Sequence, residues 1–185
     1  MFRISRDTPA YYLTSVAHNR LPVFQTDKIK DIVCQALGEA RLSARILIFA
    51  YVIMPDHLHL ITDNANSIAD VLRFTNGITA KRVLDYLKKN NFDASLAKLR
   101  RQQGERQHRY SVFQHHPDAF RITGENTLMQ KVNYIHLNPV RAGLVEFPEH
   151  YVYSSARLWN GRRAANEPLI TDHKQIQWRG GIAAN

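Results

Sequence analysis

The chain has 185 residues, with 25 Lys and Arg against 16 Asp and Glu, giving a formal charge of +9 and a pI near 9.9. Its 44% hydrophobic and 22% charged residues exclude a wholly disordered or collagen-like chain, and a single cysteine, Cys34, excludes an intramolecular disulfide and a cysteine-based zinc cluster. No apolar run approaches the roughly 18–20 residues of a membrane span, and the first residues, MFRISRD, lack the apolar core of a secretory signal, so a cytoplasmic protein with no membrane partner is expected.

Residues 10–17, AYYLTSVA, are aromatic and β-branched and predict a strand, with a polar turn at His18-Asn19-Arg20. Asp27 is placed to cap a helix reaching about Leu42, its apolar face made by Ile29, Ile32, Val33, Ala36 and Leu37. Ile46 to Met54 is an unbroken apolar run, the signature of a strand buried on both faces. Pro55-Asp56 makes the turn into a returning strand, His57 to Thr62. Ser67 is placed to cap a helix over about 68–90, and residues 91–109, polar and basic, read as a loop or arm. A short strand is expected at Tyr110 to Gln114. A helix from about Glu125 to Leu137 follows, stopped by Pro139 because the residue before a proline is pushed out of helical geometry. Residues 148–163 read as a partly helical docking segment. One domain over 1–165 and a tail over 166–185 are expected. The order βαββαβ is that of a ferredoxin-like α+β sandwich, here followed by one additional C-terminal helix.

The charge is uneven, since residues 73–109 carry ten basic residues against three acidic ones, a net +7 of the total +9. Such a concentration suits a polyanion, because each phosphate neutralised by Lys or Arg releases condensed counterions. A solvated helix face followed by a loop has the same composition.

Two features carry possible chemistry. Side chains alternate across a strand, so His57 and His59 point to one face while Leu58 and Leu60 point to the other. The two imidazoles then lie close enough to share a metal ion, although such a pair on a strand is more often a hydrogen-bonded structural feature. In the helix over 125–137, Leu128, Val132 and Ile135 form the apolar stripe, with Tyr134 and Asn138, four apart, together to one side of it. Tyr134 is either an exposed aromatic or a nucleophile beside a polar partner. A phenol with a pKa near 10 is about one part in a thousand ionised at neutral pH, so a nucleophilic role needs an activated electrophile such as a metal-polarised phosphate.

The stretches YVIMPDHLHLI (51–61) and YIHLNPVRAGLV (134–145), followed by YVYSSAR (151–157), strongly resemble the REP-associated tyrosine transposases, members of the single-tyrosine HUH transposase family. The resemblance spans most of residues 10–160. It implies that His57 and His59 are the paired metal-binding histidines, that Tyr134 on the C-terminal helix is the nucleophile, and that Asn138 completes the metal site. It further implies a divalent ion, Mg²⁺ or Mn²⁺, and attack by the tyrosine on a phosphodiester of single-stranded DNA at hairpins of the repetitive-extragenic-palindrome kind. The product is a 5′-phosphotyrosine and a free 3′-hydroxyl. Arg73, Lys81, Arg82, Lys88, Lys89, Arg100, Arg101, Arg106 and Arg109 are then the DNA-binding residues. The chain departs from the family's pattern at Ser111–Gln114, where relatives often carry a tryptophan. The competing function is a hairpin DNA- or RNA-binding protein, derived from such an enzyme, that does not cut. A two-histidine phosphoesterase would need two His-X-Thr/Ser motifs, which the residues after His18, His57 and His136 do not supply.

Overall fold

The computed structural model describes residues 10–63, 66–101, 109–115, 117–162, 168, 170–176 and 178. Four strands, β1 (Ala10–Val16), β2 (Ile48–Ile53), β3 (His57–Thr62) and β4 (Asp118–Ile122), form one antiparallel sheet in the order β2-β3-β1-β4. Helices α1 (Asp27–Ala44) and α2 (Ile68–Lys89) connect them as in a ferredoxin-like sandwich, and α4 (Glu125–Arg141) follows the last strand. The expected α+β architecture is the observed one.

Alternation along the strands divides the core in two. Leu13, Leu58 and Leu60 face α1 and α2 and pack with Val33, Leu37, Val71, Val83 and Leu87. Tyr12, Val52 and Ile61 face the other way, onto Leu128, Val132 and Ile135 of α4. Burying each such aliphatic side chain stabilises the fold by about 1.5–3 kcal/mol. A bulge between Ile48 and Ala50 turns both Phe49 and Ala50 toward the α4 side.

Local sequence explains most element ends, with four corrections. Thr26, not Asp27, caps α1: its Oγ1 accepts the Ile29 N–H at 3.3 Å, and Asp27 sits in the first turn, where a negative charge suits the helix dipole. Ser67 caps α2 as expected, accepting the Asp70 N–H at 3.1 Å. Pro139 does not end α4, which runs on to Arg141; the proline forgoes the bond to the Ile135 carbonyl, a loss that its burial offsets, and Gly143 at φ +67° closes the helix. Within the segment read as a loop, α3 (Asp93–Lys98) forms a short helix that buries Leu96, with Leu99 just beyond it. The fourth strand is 118–122 rather than 110–114, which makes only isolated bridges, Ala17 to Phe113 and Arg100 to Tyr110.

Beyond α4 the chain covers the open edge of β2. The Ile53 N–H donates to the Tyr153 carbonyl and the Ser155 N–H to the Tyr51 carbonyl, each at 2.9 Å, before the short α5 (Ala156–Trp159). The region expected to be a tail docks over its described part: the Thr171 N–H donates to the Ile48 carbonyl at 2.8 Å, Ile176 is buried, and the His173 ring stacks on Trp159 at 4.3 Å. Among the described residues no helix is long and apolar enough to cross a membrane.

Candidate active site

The register of β3 against β1 places Thr14 opposite His59 and Val16 opposite His57, at the centre of the sheet on the face that α4 covers. The two imidazole centroids are 4.8 Å apart. His57 Nδ1 lies 2.6 Å from Asp56 Oδ1, and Asp56 also pairs with Arg20 at 3.4 Å. A carboxylate there accepts the Nδ1 proton and leaves Nε2 as a lone-pair donor, the arrangement usual for a metal-binding histidine. His59 Nδ1 meets two hydroxyls, Tyr12 at 2.9 Å and Thr14 at 3.0 Å, so Nε2 is again the nitrogen directed elsewhere. Burial, with neighbouring His57 second, holds the His59 imidazole down to about 3, so the ring stays neutral and able to ligate. Burial also pushes the Tyr12 phenol up to about 12, which keeps that hydroxyl protonated.

Tyr134 comes from the opposite layer. The apolar stripe of α4 seats the helix on the sheet and leaves Tyr134 at its flank, 41% exposed, with its ring centroid 5.6 Å from that of His59 and 6.2 Å from that of Tyr12. The structure therefore brings His57, His59 and Tyr134 to one place. Asn138 lies one turn further along, but its Nδ2 donates to the Tyr134 carbonyl at 2.9 Å, and it hydrogen-bonds neither histidine. Among the described residues no group of three or more His, Cys, Asp or Glu gathers around a common point. The donors that could hold a divalent cation are thus two imidazole nitrogens, with Asn138 on α4 one turn beyond Tyr134.

Of the residues expected to bind DNA, Arg73, Lys81, Lys88, Arg101 and Arg109 line one groove of about 1360 Å³ between α2 and the segment 109–117. The ammonium of Lys88 and the guanidinium of Arg109 each sit 5.5 Å from the Tyr110 ring centroid. Arg82 turns away, held by Glu39 of α1 at 2.8 and 2.9 Å, and Lys89 and Arg100 do not line the groove. Arg106 lies outside the described residues. The groove borders α2, on the side of the sheet opposite Tyr134. Asp56, Tyr12, Thr14 and Lys131 belong to the site without having been singled out from sequence. Asp56 directly before the His-X-His pair, and Lys131 one turn before Tyr134, were the available signals.

Fold and site together define an α+β sandwich in which a two-histidine strand faces a tyrosine-bearing helix. The chain is similar in structure to a REP-associated tyrosine transposase bound to a REP hairpin, with a TM-score of 0.58 and 16% identity over 96% of both chains. A protein from Deinococcus radiodurans R1 described as a candidate transposase gives a TM-score of 0.48 and 18% identity, over 73% of this chain and 94% of that one. At 16% identity the likeness to the REP-associated tyrosine transposase is one of fold, and it agrees with the resemblance read from residues 51–61 and 134–145. No family model matches the chain, and no curated protein matches it in sequence.

Proposed function

We propose that the protein cuts and rejoins single-stranded DNA at hairpin-forming sequences, using Tyr134 as nucleophile and a divalent ion, Mg²⁺ or Mn²⁺, held by His57 and His59 with Asn138. The observation that carries this reading is the meeting of two Nε2-presenting histidines and an exposed tyrosine within 5.6 Å, ring to ring, on one face of the sheet. A structural histidine pair would need no exposed phenol beside it.

Tyr134 Oη attacks the phosphorus and loses its proton to solvent; the bond from phosphorus to the 3′-oxygen breaks, and that oxygen leaves as a 3′-hydroxyl after taking up a proton. The fragment 3′ of the cut remains on the tyrosine through its 5′-phosphate, as a phosphodiester. Rejoining is the reverse, with a 3′-hydroxyl attacking phosphorus and expelling the phenol. A bound divalent ion supplies polarisation of a phosphate oxygen and offsets the charge that develops on it. His57 is oriented by Asp56 and His59 by Tyr12 and Thr14, so neither ring has to reorganise during the step. The basic groove along α2 supplies affinity for the hairpin, and the REP hairpin bound by the structurally similar transposase suggests the same substrate class.

The test is a denaturing gel of the protein with labelled hairpins carrying single-stranded flanks, in Mg²⁺ or Mn²⁺. Wild type is expected to give an SDS-resistant adduct through the 5′-phosphate of the fragment 3′ of the cut. Tyr134→Phe, which removes one oxygen, should lose the adduct and still bind. An adduct in Tyr134→Phe names another tyrosine as nucleophile, and no adduct in wild type on any hairpin leaves the protein a nucleic-acid binder.

A further inference from the structure

Helix α4 carries more along the tyrosine's side than Tyr134 and Asn138. Lys131, Tyr134, Asn138 and Arg141 follow one another at spacings of three, four and three, which keeps them in a single stripe. The Lys131 ammonium lies 4.7 Å from the centroid of the Tyr12 ring and 4.9 Å from that of Phe120. Tyr12 itself stacks on His59 at 5.5 Å and meets Tyr134 edge-on. At the other end of the stripe, the Arg141 guanidinium carbon is 5.1 Å from the Tyr134 ring centroid.

The two cations are seated as Lys88 and Arg109 of the groove are, against aromatic rings, and unlike five other cations of the chain. Arg20, Lys30, Arg73, Lys81 and Arg82 each have a carboxylate partner. Lys131 and Arg141 form no ion pair among the described residues and rest against aromatic rings instead. An ammonium over ring faces keeps its N–H donors free on the side away from the rings, and the rings fix it at little cost in entropy. The nearby carboxylates do not cancel this: Asp56 is taken by His57 and Arg20, and Asp118, two residues from Phe120 on the same face of β4, makes no ion pair with either cation.

We propose that Lys131 and Arg141 form a phosphate clamp on either side of Tyr134, Lys131 binding a non-bridging oxygen of the scissile phosphate and Arg141 the phosphate next to it. The assignment rests on the cleavage reading above. Lys131 takes the scissile position because it shares the Tyr12 ring with His59 and Tyr134, the groups that bracket the reacting phosphorus. Arg141, at the helix end and exposed, reaches the continuing strand, and its planar guanidinium suits bidentate contact with phosphate. Both are part of the substrate site, separate from the groove on the other side of the sheet.

The experiment has two arms on the full chain. In the first, single-turnover adduct formation is followed on a hairpin substrate for wild type, Lys131→Met and Lys131→Arg. Methionine keeps the apolar stem over Tyr12 and Phe120, so loss of packing does not confuse the result. The expected loss in Lys131→Met is about 100-fold, as for other deleted oxyanion donors, with substantial rescue in Lys131→Arg. In the second arm, affinity is measured in the Tyr134→Phe background, with or without Lys131→Met, for oligonucleotides carrying either a phosphate or a neutral methylphosphonate at the mapped cleavage position. The lysine should strengthen binding of the charged oligonucleotide and leave the neutral one unaffected, and Arg141→Gln should show the same dependence at the next phosphate. Wild-type rates in Lys131→Met, or an equal effect on charged and neutral oligonucleotides, overturn the clamp. If wild type forms no adduct, the cleavage reading fails by itself; the clamp is then decided by hairpin affinity, and an unchanged Kd in the Lys131→Met/Arg141→Gln double variant overturns it.

Discussion

His59 is a buried base that folding keeps neutral, and its energetics have a definite sign. With the folded pKa depressed to about 3, the unfolded chain takes up a proton near pH 6.5 while the folded chain does not. Stability is therefore level above pH 6.5 and falls as the pH drops toward 3. His136, held to about 4 by burial, acts in the same direction. Each histidine contributes a slope of up to about 1.4 kcal/mol per pH unit. Urea midpoints between pH 4 and 8 should show this decline, and His136→Gln should make it shallower; a flat profile would contradict the assigned burial. On the proposed function, Asp56 would act on the metal only through His57, which it holds at 2.6 Å. Asp56→Asn should weaken Mn²⁺ binding by about 10–100-fold, whereas His57→Ala should abolish it, with hairpin affinity largely intact in both. Calorimetry distinguishes the two, and equal Mn²⁺ affinity in all three proteins would remove the metal assignment.

Among the elements, α2 and α4 divide the labour, one lining the groove and the other carrying the tyrosine. Replacing Lys88, Arg101 and Arg109 by Gln should flatten the dependence of log K on log salt by about 0.7 for each single-strand phosphate that is no longer neutralised. Arg82→Gln is the control: its guanidinium is committed to Glu39, so the slope should stay as in wild type. Filter-binding titrations from low to high salt read both. The alternation of His-Leu-His-Leu was legible because strand geometry leaves it no freedom, and so was the cap at Ser67, since a side-chain oxygen before an apolar periodicity has one ready partner. Helix α3 was not legible, because six residues with one buried leucine give no period to count. The continuation of α4 past Pro139 was hidden for another reason: the proline ring is buried, and tertiary packing offsets a local preference. For the site, the faces on which His57, His59 and Tyr134 lie followed from period alone. The hydroxyls beneath His59 depend on strand register, and the rotamer that turns Asn138 onto its own helix depends on a single hydrogen bond, and neither is written in one segment of sequence.

At the scale of the molecule, the sheet separates two surfaces, and one buried serine ties its edge to the tyrosine-bearing helix. Ser155 Oγ accepts the Tyr51 N–H at 2.9 Å and donates to the Tyr51 carbonyl at 3.2 Å, while His136 Nε2 of α4 lies 2.9 Å away as a second donor. Ser155→Ala leaves a buried amide and an imidazole each short of a partner and should cost about 1–3 kcal/mol, read as a lowered urea midpoint. It should also slow adduct formation while leaving the salt slope of binding unchanged, since the groove lies on other elements. The same connection orders events in time. Strands β1 to β4 and α4 can leave the ribosome and collapse, but the helix bearing Tyr134 then rests on its apolar stripe alone, without the His136–Ser155 hydrogen bond, until residues 151–155 have followed and closed over β2. A nascent or prematurely terminated chain would thus carry the basic groove before Tyr134 has its full support. On the proposed function, binding would therefore mature before cutting.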